Sequence, residues 1–202
     1  MSKRVTIADT QLARSEHRGS GGNGYLFEIR QSGEVLTRDS TGTAGRHNFI
    51  QNWGFGATGN VWLRVTSAGG ENVFAPELGW STVAASEYHH SLATANLFDT
   101  SRADDGLKAV NRGDESTGAG HAATECVFWN TAGAGFLTSR QFGLGYVVGT
   151  APGLSVGTKV ETLDGAGTAP EDWREGIGEA AGLTPPSLYE DQLARRLARA
   201  RR

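Results

Sequence analysis

The chain has 202 residues, a formal net charge of −3 and a hydrophobic content of 38%. Its single cysteine excludes an intramolecular disulfide, and it has no run of about 18 apolar residues that could cross a membrane. Five of the 19 basic residues are arginines within residues 192–202, so acidic residues clearly outnumber basic ones elsewhere, which argues against a nucleic-acid groove.

Short apolar segments that end in a polar turn recur along the chain at intervals of 26 to 34 residues. The aligned turn residues are Asp9, Asp39, Val65, Asp99, Asn130 and Asp164. β-Branched and aromatic residues favour the short strands, and Asp, Asn, Ser and Thr side chains bond to turn backbones. A strand-and-turn unit that returns in this way indicates a stack of similar coils.

A second series of strand-like segments lies between the first ones: LFEIRQSG, NFIQNWGFG, LKAVNRGDE and LTSRQFGLG. Their alignment predicts one polar rung formed by Arg30, Gln51, Asn111 and Arg140. It predicts a second rung formed by Gln31, Asn52, Arg112 and Gln141. Each coil is therefore expected to contain at least two short strands.

The pattern predicts an all-β protein whose residues 1–168 form a parallel β-helix of about six coils. An antiparallel sandwich is the alternative, but periodic turn chemistry favours the β-helix. The stacked core of the β-helix is expected to include Val35, Leu36, Val61, Leu63, Leu92, Cys126 and Phe128.

Residues 169–202 form a C-terminal tail, within which the strand pattern stops. Pro185 and Pro186 end the strand pattern, and Ser187 is a predicted helix N-cap. Leucines at helical spacing after it predict a short amphipathic C-terminal helix that caps the open end of the coil stack, with its arginines facing outward. Because the N-terminal end has no such cover, we expect upstream coils or a second copy of the chain there.

The stretches GRHNFIQNWGFGATGNVWLR, EYHHSLATANLFDT, GLKAVNRGDESTGAGHAATECVFWN and PPSLYEDQLARRL resemble bacterial right-handed parallel β-helix proteins of the pectin-lyase-like group. The resemblance covers residues 4–197. It implies a right-handed coil and a polysaccharide ligand, and in well-known members Ca²⁺ held by carboxylates assists β-elimination with Arg or Lys as the base. The same fold hosts lyases, hydrolases, epimerases, binding modules and inert shafts, so it does not define the function.

Four residues are the candidate catalytic groups: Arg46, His47, Lys108 and Arg112. Arg46 and His47 precede a strand, and turn residues on a rigid scaffold often form functional sites. Arg and Lys pair with uronate carboxylates, and a desolvated cationic side chain can serve as a base. We therefore expect these four residues to line one face of the molecule.

Other polar and aromatic residues are candidates for substrate binding: Gln51, Asn52, Trp80, His89, His90, Asn111 and His121. Trp80 is a candidate platform for stacking a sugar ring. For Gln51, Asn52 and Asn111, a structural ladder of stacked side chains is the favoured interpretation. Adjacent strand residues point to opposite faces, so His89 and His90 are not expected to bind one metal ion together.

Four acids in the loops around residue 110 are candidate ligands for Ca²⁺, which prefers oxygen atoms: Asp104, Asp105, Asp114 and Glu115. Ordinary solvated acids explain the same pattern.

Three hypotheses for the function remain: an enzyme, either a lyase or a glycoside hydrolase, that acts on an acidic polysaccharide; a carbohydrate-binding module without catalysis; and a structural or assembly β-helix. The start of the chain shows no signal peptide. Because a polysaccharide ligand fits a secreted protein, we expect an extracellular or periplasmic location.

Overall fold

A computed structural model describes residues 1–16, 24–52, 57–75, 80–159 and 171–201. The structure is all-β apart from a short C-terminal helix, α2 (Leu188–Ala200), and two single turns, α1 (Glu115–Gly118) and a 3₁₀ turn at Ala180–Gly182. No helix in these ranges is long and apolar enough to cross a bilayer. In chain order, the strands are β1 (Thr6–Ala8), β2 (Gln11–Ala13), β3 (Tyr25–Arg30), β4 (Leu36–Arg38), β5 (Thr41–Thr43), β6 (His47–Asn52), β7 (Val61–Leu63), β8 (Thr66–Ala68), β9 (Val73–Ala75), β10 (Trp80–Thr82), β11 (Ser86–Tyr88), β12 (Ala93–Thr94), β13 (Leu97–Asp99), β14 (Arg102–Ala103), β15 (Gly106–Ala109), β16 (Ala123–Thr124), β17 (Val127–Thr131), β18 (Phe136–Ser139), β19 (Tyr146–Thr150), β20 (Ser155–Gly157) and β21 (Trp173–Glu175).

The chain passes repeatedly through three parallel sheets. The first has the order β1-β4-β7-β13-β17-β19-β21, the second β3-β6-β11-β15-β18-β20, and the third β2-β5-β8-β14. Consecutive strands therefore lie in different sheets, and each returns beside the strand of the previous pass. A short antiparallel pair, β9 with β10, interrupts the series. This arrangement is consistent with a parallel β-helix.

The core lies between the sheets and consists of aromatic side chains stacked from one pass to the next. Trp62, Phe98 and Phe128 occupy one register position on β7, β13 and β17. Successive ring centroids lie 5.8 Å and 5.7 Å apart, with nearly parallel planes. All three residues are almost completely buried. In-register stacking of identical positions thus supplies the continuous core that a single pass could not form.

Four of the seven expected core residues are buried: Val35, Leu63, Cys126 and Phe128. Leu36, Val61 and Leu92 are only partly buried. Val61 illustrates the reason, because side chains alternate along a strand and its neighbour Trp62 occupies the inward position.

Left-handed backbone conformations stack at the corner formed by the C-terminal ends of the strands of the seven-stranded sheet. The residues with φ between 50° and 67° at this corner are Asp9, Asp39, Arg64, Thr100, Asn130 and Gly149. The predicted turn ladder is correct at Asp9, Asp39 and Asn130 and displaced by one residue at Val65 and Asp99; Asp164 lies outside the described residues. The displacement arises because only the backbone conformation repeats, and Asp, Arg, Thr, Asn and Gly all adopt it here.

Interior amide side chains join successive passes at another corner. Asn60 Oδ1 accepts a hydrogen bond from Val35 N at 2.9 Å, and Asn96 Oδ1 accepts one from Asn60 N at 2.8 Å. Gln141 Oε1 continues the pattern by accepting from Cys126 N. Each side chain therefore satisfies a buried backbone donor of the neighbouring strand segment.

The two polar rungs predicted from the second series are out of register. Gln51 pairs with Ile29 and Tyr88, whereas Arg30 pairs with Asn52. Gln51 is fully buried and donates to Asn96 Oδ1 at 3.1 Å. A shift of one residue moves a side chain from the outer face of a sheet to its interior, so Gln51 and Arg30 cannot form one rung.

The tail forms the expected helix, and Ser187 is its N-cap, with Oγ accepting from Glu190 N at 3.2 Å. The helix does not begin over the end of the stack. Asp99 on β13 accepts hydrogen bonds from Ser187 Oγ at 2.8 Å and Tyr189 N at 2.7 Å. Arg64 Nη1 pairs with Glu190 at 2.5 Å, so the helix starts beside the middle strands of the seven-stranded sheet.

Polar contacts hold the start of this tail. Asn130 Nδ2 donates to Pro186 O at 2.7 Å, and Trp129 Nε1 donates to Pro185 O at 3.1 Å. Leu197 is 50% exposed, and α2 has no buried residue. Because the stacked corners present polar atoms along one side of the molecule, they attract the polar start of the tail to that side.

The stacked core predicts the effect of a large-to-small substitution. Phe128→Ala should lower the free energy of unfolding by about 3–5 kcal/mol, because it removes a fully buried ring from the stack. Urea denaturation measures the change. Phe142→Ala is the control, since Phe142 is 53% exposed and should cost much less. Equal losses for the two variants would contradict the stacked core.

The tail contacts predict a local effect of Asp99→Ala. Loss of two hydrogen bonds to a buried carboxylate should cost roughly 2–3 kcal/mol and release the start of α2. Hydrogen exchange should become faster in residues 187–191 and stay slow in β17. Asp114→Ala, at an exposed acid, is the control. Unchanged exchange in the tail of Asp99→Ala would show that other contacts position the helix.

Candidate functional site

Glu87, Lys108 and Thr138 lie side by side on the neighbouring strands β11, β15 and β18. Leu107 and Leu137 precede Lys108 and Thr138 in the chain and are fully buried in the core. Since successive strand side chains alternate between faces, Lys108 and Thr138 belong to the outer face of the six-stranded sheet.

A cleft with a volume of about 570 Å³ lies at this face. Polar and mainly basic side chains form its walls, with a few apolar side chains between them. The lining residues are Arg46, His47, Val83, Glu87, His89, Lys108, Val110, Arg112, Glu115, Phe136, Thr138 and Arg140.

A buried carboxylate, Glu87, lies at the centre of the polar contacts in this cleft. Its Oε2 is 3.3 Å from Lys108 Nζ, and its Oε1 contacts both His89 Nδ1 and His47 Nε2, the latter at 3.4 Å. Burial alone would raise the pKa of the Glu87 carboxyl, but the Lys108 ammonium and the hydrogen bond with His89 hold this pKa well below its usual range. Glu87 is therefore ionised at neutral pH.

The protonation state of His47 follows from its second contact. Nδ1 lies 2.7 Å from the carbonyl oxygen of Ala85, which only accepts hydrogen bonds, so Nδ1 carries a proton. Burial lowers the pKa of His47 to about 4, which leaves the ring neutral at pH 7, with its lone pair on Nε2. Burial also lowers the pKa of His89.

The other cations of the cleft are held by specific contacts. The Arg46 guanidinium lies over the ring of Tyr25, 5.3 Å from its centroid. Arg112 donates from Nη1 to the carbonyl oxygen of His89 at 3.0 Å and pairs with Glu115 at 3.2 Å. These contacts position positive groups around the cleft before any ligand binds.

The cleft brings together all four candidate catalytic residues, Arg46, His47, Lys108 and Arg112, although they come from two separate parts of the sequence. Of the candidate substrate-binding residues, His89 also lines the cleft. The side chains of Asn52 and Trp80 lie outside the described part of the structure.

The remaining substrate-binding candidates lie elsewhere. Gln51 is inside the core, and Asn111 Oδ1 accepts from Gly113 N within a turn. His121 packs on Phe142, with ring centroids 5.2 Å apart. His90 is buried with its ring 5.2 Å from that of His89, and it does not line the cleft.

The four acids predicted to hold Ca²⁺ have separate roles. Asp105 accepts hydrogen bonds from Asn48, Ser67 and backbone amides in a partly buried corner. Asp104 pairs with Arg102 at 2.6 Å. Glu115 pairs with Arg112 in the cleft, and Asp114 is exposed at the start of α1.

A different group of side chains brings possible metal ligands together. His47, Glu87 and His89 are all buried and offer ligand atoms within 4.8 Å of one another. Among the described residues, no other set of three or more His, Cys, Asp or Glu side chains comes together in this way.

Sequence analysis did not single out Glu87, and it considered Arg140 only as a member of a polar rung. The only sequence signal for Glu87 is that it stands between Ser86 and Tyr88 in a strand-like segment. Its importance follows from the parallel pairing with Lys108. Comparison of the chain with protein-family models, with curated proteins and with solved structures found no match.

Proposed function

We propose that the protein binds an acidic, uronic-acid-containing polysaccharide in this cleft and cleaves it by β-elimination. The observation that carries the proposal is the convergence of Arg46, Lys108 and Arg112 on one cleft, beside the imidazoles of His47 and His89. We further propose that the stacked parallel sheets form a right-handed β-helix of about six coils, similar to the pectin-lyase-like group.

The cations of the cleft match the charge of the ligand. Uronate carboxylates are spaced regularly along an acidic polysaccharide, and an Arg guanidinium binds a carboxylate through two parallel hydrogen bonds. A volume of about 570 Å³ is within the range of small-ligand sites. Arg112, whose side chain is only 11% exposed, would bind such a carboxylate in a partly desolvated setting, where charge-assisted hydrogen bonds are strongest.

The same cleft offers groups for proton transfer. In β-elimination, a base takes the C5 proton of the uronate, a double bond forms between C4 and C5, and the bond from C4 to the glycosidic oxygen breaks. A neutral imidazole of the cleft can accept the C5 proton, and the Lys108 ammonium can donate a proton to the leaving oxygen. Pairing of the uronate carboxylate with Arg46 or Arg112 would stabilise the negative charge that develops at C5.

Such a substrate fits an extracellular or periplasmic protein. The carbohydrate-binding module without catalysis uses the same cations and differs only in the absence of turnover. A purely structural β-helix has no requirement for positive groups that converge on one cleft.

The proposal predicts separate effects on binding and on fold. Against a panel of uronic-acid and neutral polysaccharides, the protein should bind only the acidic ones and release an unsaturated product with ultraviolet absorbance. Arg46→Ala and Arg112→Ala should each weaken binding at least about tenfold, or about 1.4 kcal/mol, in variants whose melting curves show that they remain folded.

Arg102→Ala is the matched control, because Arg102 lies on the four-stranded sheet, pairs with Asp104 and does not line the cleft. If the protein binds acidic polysaccharides but releases no unsaturated product, its function is that of a carbohydrate-binding module. Absence of binding to every acidic polysaccharide, or equal binding by parent and both cleft variants, would overturn the proposal.

A further inference from the structure

His47 and Glu87 lie in contact without a hydrogen bond between them. His47 Nε2 faces Glu87 Oε1 at 3.4 Å, and although it is buried it has no hydrogen-bond partner among the residues that the structure describes. His47 donates its Nδ1 proton to the carbonyl oxygen of Ala85, so the neutral form of the ring directs the Nε2 lone pair toward the carboxylate oxygen, which is also an electron-pair donor. Two such atoms repel each other unless a positive group lies between them, and burial makes the repulsion stronger.

We propose that His47 Nε2, Glu87 Oε1 and His89 Nδ1 bind one divalent transition-metal ion of the zinc type. This inference does not rest on the proposed action on polysaccharides. It assigns a metal to residues other than the four acids considered from the sequence.

The distance between His47 and Glu87 suits such an ion. In a tetrahedral zinc site with bonds of about 2.0–2.1 Å, neighbouring ligand atoms are roughly 3.3 Å apart. The observed 3.4 Å between His47 Nε2 and Glu87 Oε1 matches this separation. His89 Nδ1 lies closer to Glu87 Oε1, so the His89 ring would move outward and exchange its hydrogen bond to Glu87 for coordination.

The groups around the three ligands support the same assignment. The Ala85 carbonyl oxygen fixes the His47 tautomer that exposes Nε2, as outer-shell acceptors commonly do for metal-binding histidines. Lys108 lies at Glu87 Oε2 and leaves Oε1 for the ion. Two imidazoles with one carboxylate suit zinc and its neighbours in the periodic table, whereas Ca²⁺ prefers six or more oxygen atoms.

Three protein ligands leave a fourth position open, which is typical of catalytic zinc sites. All three ligand residues line the cleft. The neighbouring Arg46, Lys108 and Arg112 oppose the charge of the ion and favour an anion or a water as the fourth ligand. With the ion bound, the imidazoles are ligands, so a water at the fourth position would replace them as the proton acceptor in the proposed elimination.

The test uses the full chain without an affinity tag, after removal of metals by a chelator. Titration with Zn²⁺ in a calorimeter should show that one equivalent binds. Bound Zn²⁺ should also raise the melting temperature, since an ion that binds only the folded state stabilises it. Co²⁺ should give the absorption bands of a four- or five-coordinate site. Ca²⁺ should produce neither effect.

Variants assign the ligands. His47→Gln and Glu87→Gln should each weaken Zn²⁺ binding at least about tenfold and abolish the Zn²⁺-dependent rise in melting temperature. His90→Gln is the matched control, because its ring adjoins that of His89 without belonging to the group. The melting temperature of each metal-free variant shows whether it is folded, and a variant that fails to fold is replaced by His89→Gln.

The inference is overturned if the parent binds no Zn²⁺ at one equivalent, or if folded His47→Gln and Glu87→Gln bind it as well as His90→Gln does. It is also overturned if nuclear magnetic resonance of the metal-free protein shows His47 doubly protonated at neutral pH and Zn²⁺ leaves that resonance unchanged. A proton, and not a metal ion, then lies between His47 and Glu87. None of these results depends on a saccharide. Failure of the metal-site inference therefore does not decide the proposed function, which the polysaccharide-binding experiment tests separately.

Discussion

The parallel register between successive passes of the chain is the constraint on which the other features depend. Left-handed residues such as Asp39, Arg64 and Thr100 repeat at one corner, so the backbone leaves the seven-stranded sheet in the same direction each time. The amides of Asn60 and Asn96 satisfy buried backbone donors at another corner. Aromatic rings then stack in register inside the sheets, which makes the core continuous although each strand has only two to six residues.

The same register assembles the cleft. Glu87 and Lys108 belong to consecutive passes of the six-stranded sheet and become direct neighbours only when β11 and β15 pair. Burial of Glu87 would be unfavourable without a compensating partner, and Lys108, His89 and His47 supply the contacts. The arginines at positions 46 and 112 lie just before β6 and just after β15, where a rigid strand ends and the chain turns. The scaffold therefore fixes the spacing of the charges that a ligand would meet.

The sequence predicted the class of fold and the helix of the tail, because turn chemistry and an N-cap such as Ser187 act locally. It also predicted that Arg46, His47, Lys108 and Arg112 line one face. It could not fix the register, since loops of different length separate the strands and a shift of one residue exchanges the two faces. That shift placed the buried Gln51 on a rung with Arg30. Nor could it identify Glu87 or the side on which the tail packs, because both depend on contacts between residues distant in sequence, such as Asp99 with Ser187.

The coupling energy between Glu87 and Lys108 tests the register of the cleft most directly. A double-mutant cycle with Glu87→Gln and Lys108→Met, measured by urea unfolding, isolates this energy from the effects of the single changes. The account predicts a coupling of about 1–3 kcal/mol, because the pair is close and Glu87 is buried. The exposed pair Arg102 and Asp104 should give less than about 1 kcal/mol in the same experiment. A coupling near zero for Glu87 and Lys108 would contradict the parallel pairing of β11 with β15, and with it the cleft.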